Sequence, residues 1–222
     1  MKNKKFRSIF MVVLVVVMVF SVGSVAMAAE QSKIQSAIEF QLPTTTDANY
    51  EKALAQRVAL LESIDLPEGE TIGITTVAEG RALGLSDADL AHLAECEKIN
   101  AASDQKLEKI LSAEKVTNEI VTMAASVSTK VTNFYTNRNG VSVHSVEFRN
   151  HYNITASSGT PKFKFNHKSR TIGFKNGFTG SASTVKNDNF NYNNKITING
   201  YSTRYTYLYC AASTGNVTLT YW

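Results

Sequence analysis

Hydrophobic positions along this chain fall into three regimes, and each predicts a different kind of element. The first is an unbroken apolar run from Ile9 to Phe20. In the second, Tyr50, Leu54, Val58, Leu61 and Ile64 recur at steps of four and three, which sets them on one stripe of a helix that Asp47 caps. Leu66-Pro67-Glu68-Gly69 ends it, because proline cannot continue the ladder and glycine suits the exit. Residues 71–77 are β-branched apart from Gly73 and read as a short strand or an extended link. Ser86-x-x-Asp89 then resembles an acidic capping box ahead of Leu90, Leu93 and Ile99. A further amphipathic stretch carries Leu107, Ile110, Leu111, Val116, Ile120 and Met123, so residues 86–128 form one long helix or two joined near Ala102-Ser103-Asp104.

The third regime has period two. Asn139-Gly140, Asn176-Gly177 and Asn199-Gly200 are strong hairpin signals, because both residues tolerate positive φ. Ser158-Gly159-Thr160-Pro161 and Thr214-Gly215-Asn216 mark two more turns. Between them lie β-rich runs at 141–155, 162–175, 195–199, 201–212 and 217–222. Phe163 and Phe165 share one face opposite Lys162 and Lys164, and Tyr205, Tyr207 and Tyr209 alternate with Arg204, Thr206 and Leu208. Val141 and Val143 set one phase and Val146 and Phe148 the other, so a bulge is expected near His144-Ser145. The predicted fold class is α+β: an N-terminal helical region followed by a C-terminal antiparallel β-sandwich or β-meander domain.

Charge sharpens this division. The first apolar run follows Lys2, Lys4, Lys5 and Arg7 and precedes Ala26-Met27-Ala28, the pattern of a secretory signal peptide cut between Ala28 and Ala29. Its apolar core is short for a membrane span, and no second long apolar run follows, so the chain without its leader is expected to carry no transmembrane segment. Residues 29–130 hold 17 acidic and 9 basic side chains, whereas residues 131–222 hold 2 and 10. The sequence therefore divides into a signal peptide (1–28), an acidic helical region that reads as a pro-region (29–130), and a basic β domain (131–222) holding 16 of the 21 aromatic residues.

Candidate binding residues lie in the basic half. Lys162, Lys164, Lys168, Arg170 and Lys175 form its densest basic-aromatic segment and suit an anionic envelope component, a lipid headgroup or wall polymer. The same segment also reads as a hairpin with one buried and one solvated face. Tyr205, Tyr207 and Tyr209, with Tyr201 before them, suit stacking on carbohydrate or, as such rows more often do, the filling of a core. Nucleic acid is disfavoured by the compartment. The Asn-rich residues 187–194 read as a loop. Cys96 and Cys210, one in each half, form a disulfide staple or remain two buried thiols.

Catalytic chemistry finds little footing. Glu147 and Asp188 are the only carboxylates of the basic half, and His144, His151 and His167 lack a metal-ligand spacing. His144 and Glu147 reach one face only if the strand is bulged. No cofactor or metal is expected. Two functions fit a secreted, non-enzymatic, bacterial protein of this kind. The first is a bacteriocin-like or toxin precursor whose acidic half silences a basic β domain that acts on an anionic cell envelope. The second is an intact extracellular module that binds cell-wall glycan or a host surface.

Overall fold

A computed structural model describes Ala59 and residues 66–117, 127–156 and 159–221. The leader with Ala28 and Ala29, the predicted helix on the Tyr50 stripe, and the stretch around Met123 lie outside the described residues. The elements are β1 (Thr71–Ile74), α1 (Val77–Ala82), α2 (Asp87–Thr117), β2 (Ser128–Arg138), β3 (Val141–Ala156), β4 (Phe163–Phe174), β5 (Gly180–Asn187), β6 (Asn191–Ile198), β7 (Arg204–Cys210) and β8 (Val217–Tyr221). They make two antiparallel four-stranded sheets, ordered β1-β2-β3-β4 and β5-β6-β7-β8, with a helical region before most of the strands.

Local chemistry explains the boundaries. Ser86 Oγ accepts from the Asp89 backbone N–H and donates to its carboxylate, so the acidic capping box opens α2, which runs unbroken through Ala102-Ser103-Asp104. A second box on Thr76 and Glu79 starts α1. Glu97 of α2 accepts from the Val77 N–H and ties the two helices together. Asn139-Gly140 takes positive φ at both residues, as the tight β2–β3 hairpin requires. Asn176-Gly177 takes the same conformation but is not the expected hairpin: it carries the chain from β4 of the first sheet to β5 of the second, which do not pair. At Asn199-Gly200 only the glycine takes positive φ. β3 carries the expected bulge: Phe134 pairs with Val146 and Tyr135 with His144, leaving Ser145 as the extra residue. Ser145 is buried, and its hydroxyl donates to the Phe134 carbonyl.

The hydrophobic core draws on both sheets. Phe134, Val146, Phe148, Tyr152 and Phe165 of the first join Tyr192, Ile196, Leu208, Cys210 and Val217 of the second. A buried polar bridge runs through the same region. Asn194 donates to Asn150, and Asn150 donates to the Thr206 hydroxyl, with all three side chains fully buried. Satisfied networks of this kind fix one packing arrangement, because an unmade bond there is costly. Gly180 sits where a Cβ would lie 1.9 Å from the Thr197 carbonyl oxygen. Gly180→Ala should force β5 away from β6 and cost about 3 kcal/mol in denaturant unfolding.

The described residues of the acidic half are woven into the first sheet. β1 pairs only with Asn133–Thr136 of β2, so the backbone of residues 129–131 has no strand on that side. Side chains of α2 take its place. Asn100 accepts from the Val131 N–H and donates to its carbonyl, and Ser103 does the same for Thr129. Asp104 adds an ion pair of 2.5 Å with Lys130, whose side chain is 4 % exposed. At the other end Glu70 pairs with Arg204 at 2.9 Å, and Asn137 donates to the Leu66 carbonyl.

Candidate functional site

The five predicted cations do not share one face. Asn166 is an extra residue in β4, since Asn153 pairs with His167 and Ile154 with Phe165. That bulge reverses the alternation. Lys162 and Lys164 are exposed opposite the buried Phe163 and Phe165. Lys168 and Arg170 instead pair across to Tyr152 and Asn150, whose side chains are buried. Lys168 stands over the Phe165 ring at 5.4 Å. Arg170 donates to the Thr184 hydroxyl and the Ala182 carbonyl, closing the gap between β4 and β5. Lys175 is exposed in the following turn.

The tyrosine row is a coherent surface. Arg204, Thr206, Leu208 and Cys210 of β7 are buried, whereas Tyr205 and Tyr207 are half-buried on the opposite face and Tyr209 is 49 % exposed. The Tyr205 and Tyr207 rings lie 6.3 Å apart. Register places Asn191, Asn193 and Lys195 of β6 beside Tyr209, Tyr207 and Tyr205, and Thr218 and Thr220 of β8 on the other flank. Cross-strand partners share a face, so aromatic rings alternate there with amides, hydroxyls and one ammonium. The Asn-rich segment thus supplies part of β6. Its turn is held by Asp188, which accepts from the Phe190 and Asn191 N–H groups.

Cys96 and Cys210 are both free and buried. Cys210 lies in the core shared by the sheets, and burial pushes its thiol up to about 12. Cys96 lies elsewhere, in a cluster that forms only where α2 meets β2 and β3. His92 and Cys96, one turn apart on α2, meet Asn133 of β2 and Glu147 of β3. His92 Nε2 is 2.8 Å from Glu147 Oε2, 3.3 Å from Asn133 Oδ1 and 3.7 Å from Cys96 Sγ. Arg149 Nε holds the other Glu147 oxygen at 2.7 Å. Burial raises the Cys96 pKa, opposed by the Asn133 hydrogen bond and reinforced by the Glu147 charge. Burial alone would raise that of Glu147, yet Arg149, His92 and Lys175 together bring it below its ordinary value. Among the described residues, the nitrogen, sulfur and oxygen atoms of His92, Cys96 and Glu147 lie within 4.8 Å of one another and could hold a metal ion.

His144 completes the cluster because the Ser145 bulge turns it and Glu147 toward α2. Its ring stacks on Tyr135 at 5.0 Å and lies 5.3 Å from that of His92. Burial pushes its pKa down to about 4; His92 and Lys175 act in the same direction, while Asp89 and Glu147 oppose them. The folded value lies below the unfolded one, so the stability tied to a neutral His144 is complete above about pH 6.5 and is lost as pH falls toward 4. The loss across that window is about 3 kcal/mol. Denaturant unfolding at pH 7 and pH 4.5 should show it, and His144→Gln should shrink the difference.

No helix among the described residues is long and apolar enough to cross a membrane. Comparison with family models, curated proteins and solved structures finds no match.

Proposed function

We propose that the chain works outside the cell as an intact, non-catalytic module that binds cell-wall glycan on the tyrosine face of its second sheet. In this reading the two sheets form a β-sandwich with α2 against the far side. The observation that carries it is the placement of Tyr205, Tyr207 and Tyr209 opposite the core on β7. A core-filling row would be buried, whereas this one is half-buried to exposed and flanked by Asn191, Lys195 and Thr220, groups suited to sugar hydroxyls. The leader pattern in residues 1–28 supports export.

The β1 strand supports an intact chain over a precursor. Release of the acidic half would strip a strand from the first sheet together with Ile72 and Ile74, both fully buried. The division of the basic row by the Asn166 bulge favours the tyrosine face over an anion-binding face on β4. The test is retention of the full-length protein on insoluble wall polysaccharide. Tyr207→Ala should weaken retention about tenfold, or about 1.4 kcal/mol. Equal retention of the variant and the native protein, or no retention of either, would sink the proposal.

A further inference from the structure

We propose that His92, Cys96 and Glu147 bind a divalent transition metal, zinc by the chemistry of the donors, with a water as fourth ligand hydrogen-bonded to His144. One ring nitrogen, His92 Nε2, faces the thiol, the Glu147 carboxylate and the Asn133 amide oxygen at once. A single N–H can serve only one of them. In a Cys–His nucleophile pair the imidazole turns one nitrogen to the thiol and the other to the carboxylate. Here the same nitrogen meets both, which is how ligands converge on a cation.

The spacing suits the ion. Tetrahedral zinc with bonds of about 2.0–2.3 Å has ligand-to-ligand edges of about 3.3–3.8 Å. The Sγ–Nε2 edge is 3.7 Å, and the Oε2–Nε2 edge of 2.8 Å needs the carboxylate to withdraw by about 0.5 Å. Arg149 already holds Oε1 and leaves Oε2 turned inward, the support an outer shell gives a ligating carboxylate. A thiolate and a carboxylate neutralise a dication, so the ligand set itself carries no net charge. The mixed nitrogen, sulfur and oxygen set suits zinc better than calcium or magnesium.

His144 is the independent pointer to a ligand. It is 7 % exposed, and its Nε2 is buried without a hydrogen-bond partner beside His92. Buried polar atoms are ordinarily satisfied, and a metal-bound water would donate to this one.

The untagged full-length protein should be titrated with Co²⁺ and then with Zn²⁺. One equivalent of Co²⁺ should produce a thiolate-to-cobalt charge-transfer band, which one equivalent of Zn²⁺ removes. Cys96→Ser should abolish the band and weaken zinc binding by more than about 100-fold, beyond the ~10–100-fold typical of an outer-shell partner. His144→Gln should weaken it about tenfold. Cys210→Ser should keep the band. If Cys96→Ser does not fold, Glu147→Gln carries the test: its band persists, but zinc binds more than about 100-fold more weakly. Absence of a band at one equivalent, a band that survives Cys96→Ser, or unchanged zinc affinity in Glu147→Gln would overturn the proposal.

Discussion

A chain that begins at residue 128 is expected not to fold. It lacks β1, whose Ile72 and Ile74 are fully buried, each contributing about 1.5–3 kcal/mol. It also lacks Glu70, so Arg204, with its side chain 6 % exposed, loses its carboxylate partner. Breaking a buried pair in this way costs about 3–5 kcal/mol. Asn100 and Ser103 no longer satisfy the backbone of Thr129 and Val131. These losses together are comparable with the whole stability of an ordinary domain, about 5–15 kcal/mol. Circular dichroism and urea unfolding of residues 128–222 should show no cooperative transition. A full-length chain cut within residues 118–126 should instead stay associated, because the contacts just named do not need that peptide. A sharp, native-like transition for residues 128–222 alone would restore the precursor reading.

Asp104→Ala should be among the most damaging single substitutions, and Lys130→Met on the same pair should be mild. Lys130 is almost fully buried, and its ammonium meets Asp104 Oδ1 at 2.5 Å. Burial shifts each partner toward neutrality, raising the pKa of Asp104 and lowering that of Lys130 against their mutual attraction. Desolvation therefore outweighs pairing, and the pair itself adds little net stability. Removing only the carboxylate strands a buried ammonium and should cost about 3 kcal/mol, the low end of the range, because Asp104 is 29 % exposed. Methionine at 130 removes the buried charge while keeping most of the volume, and the Asp104 carboxylate left behind is 29 % exposed and stays hydrated, so the change should stay within about 1 kcal/mol. Urea unfolding of both variants decides the matter. Equal losses would mean that the ion pair is itself a main support.

The parts of the fold legible in the sequence were those where one face is apolar. Phe163 with Phe165, and Val217 with Leu219, announce their strands, and the phase change between Val143 and Val146 located the Ser145 bulge. The long central strand β2 escaped because its buried faces are largely polar: Thr132, Asn133, Thr136 and Asn137 are all buried, and the Thr71 and Thr136 hydroxyls bond at 2.9 Å. Hydrophobic periodicity cannot report a strand whose buried positions are largely polar. β5 escaped for the opposite reason, since nearly all of it is exposed. The short helix α1 had a signal in Thr76-x-x-Glu79 that the surrounding β-branched residues obscured.

The sites were legible only in part. Alternation gave the tyrosine row, but not which face of the sheet it would occupy; that depends on Leu208 and Cys210 winning the core. The basic row looked continuous because one inserted residue, Asn166, leaves no mark in composition while reversing every side chain after it. The His92 cluster was hidden by distance along the chain. His92 and Cys96 carry a one-turn helical spacing, but Glu147 arrives from a strand in the other charge half.

The most direct test is the intact mass of whatever secreted material is eluted from the bound wall glycan under non-reducing conditions. The expected species contains both halves, either as one chain or as two co-eluting pieces, with both thiols free. Recovery of the basic β half alone would contradict an intact module and return the acidic half to the role of a discarded pro-region.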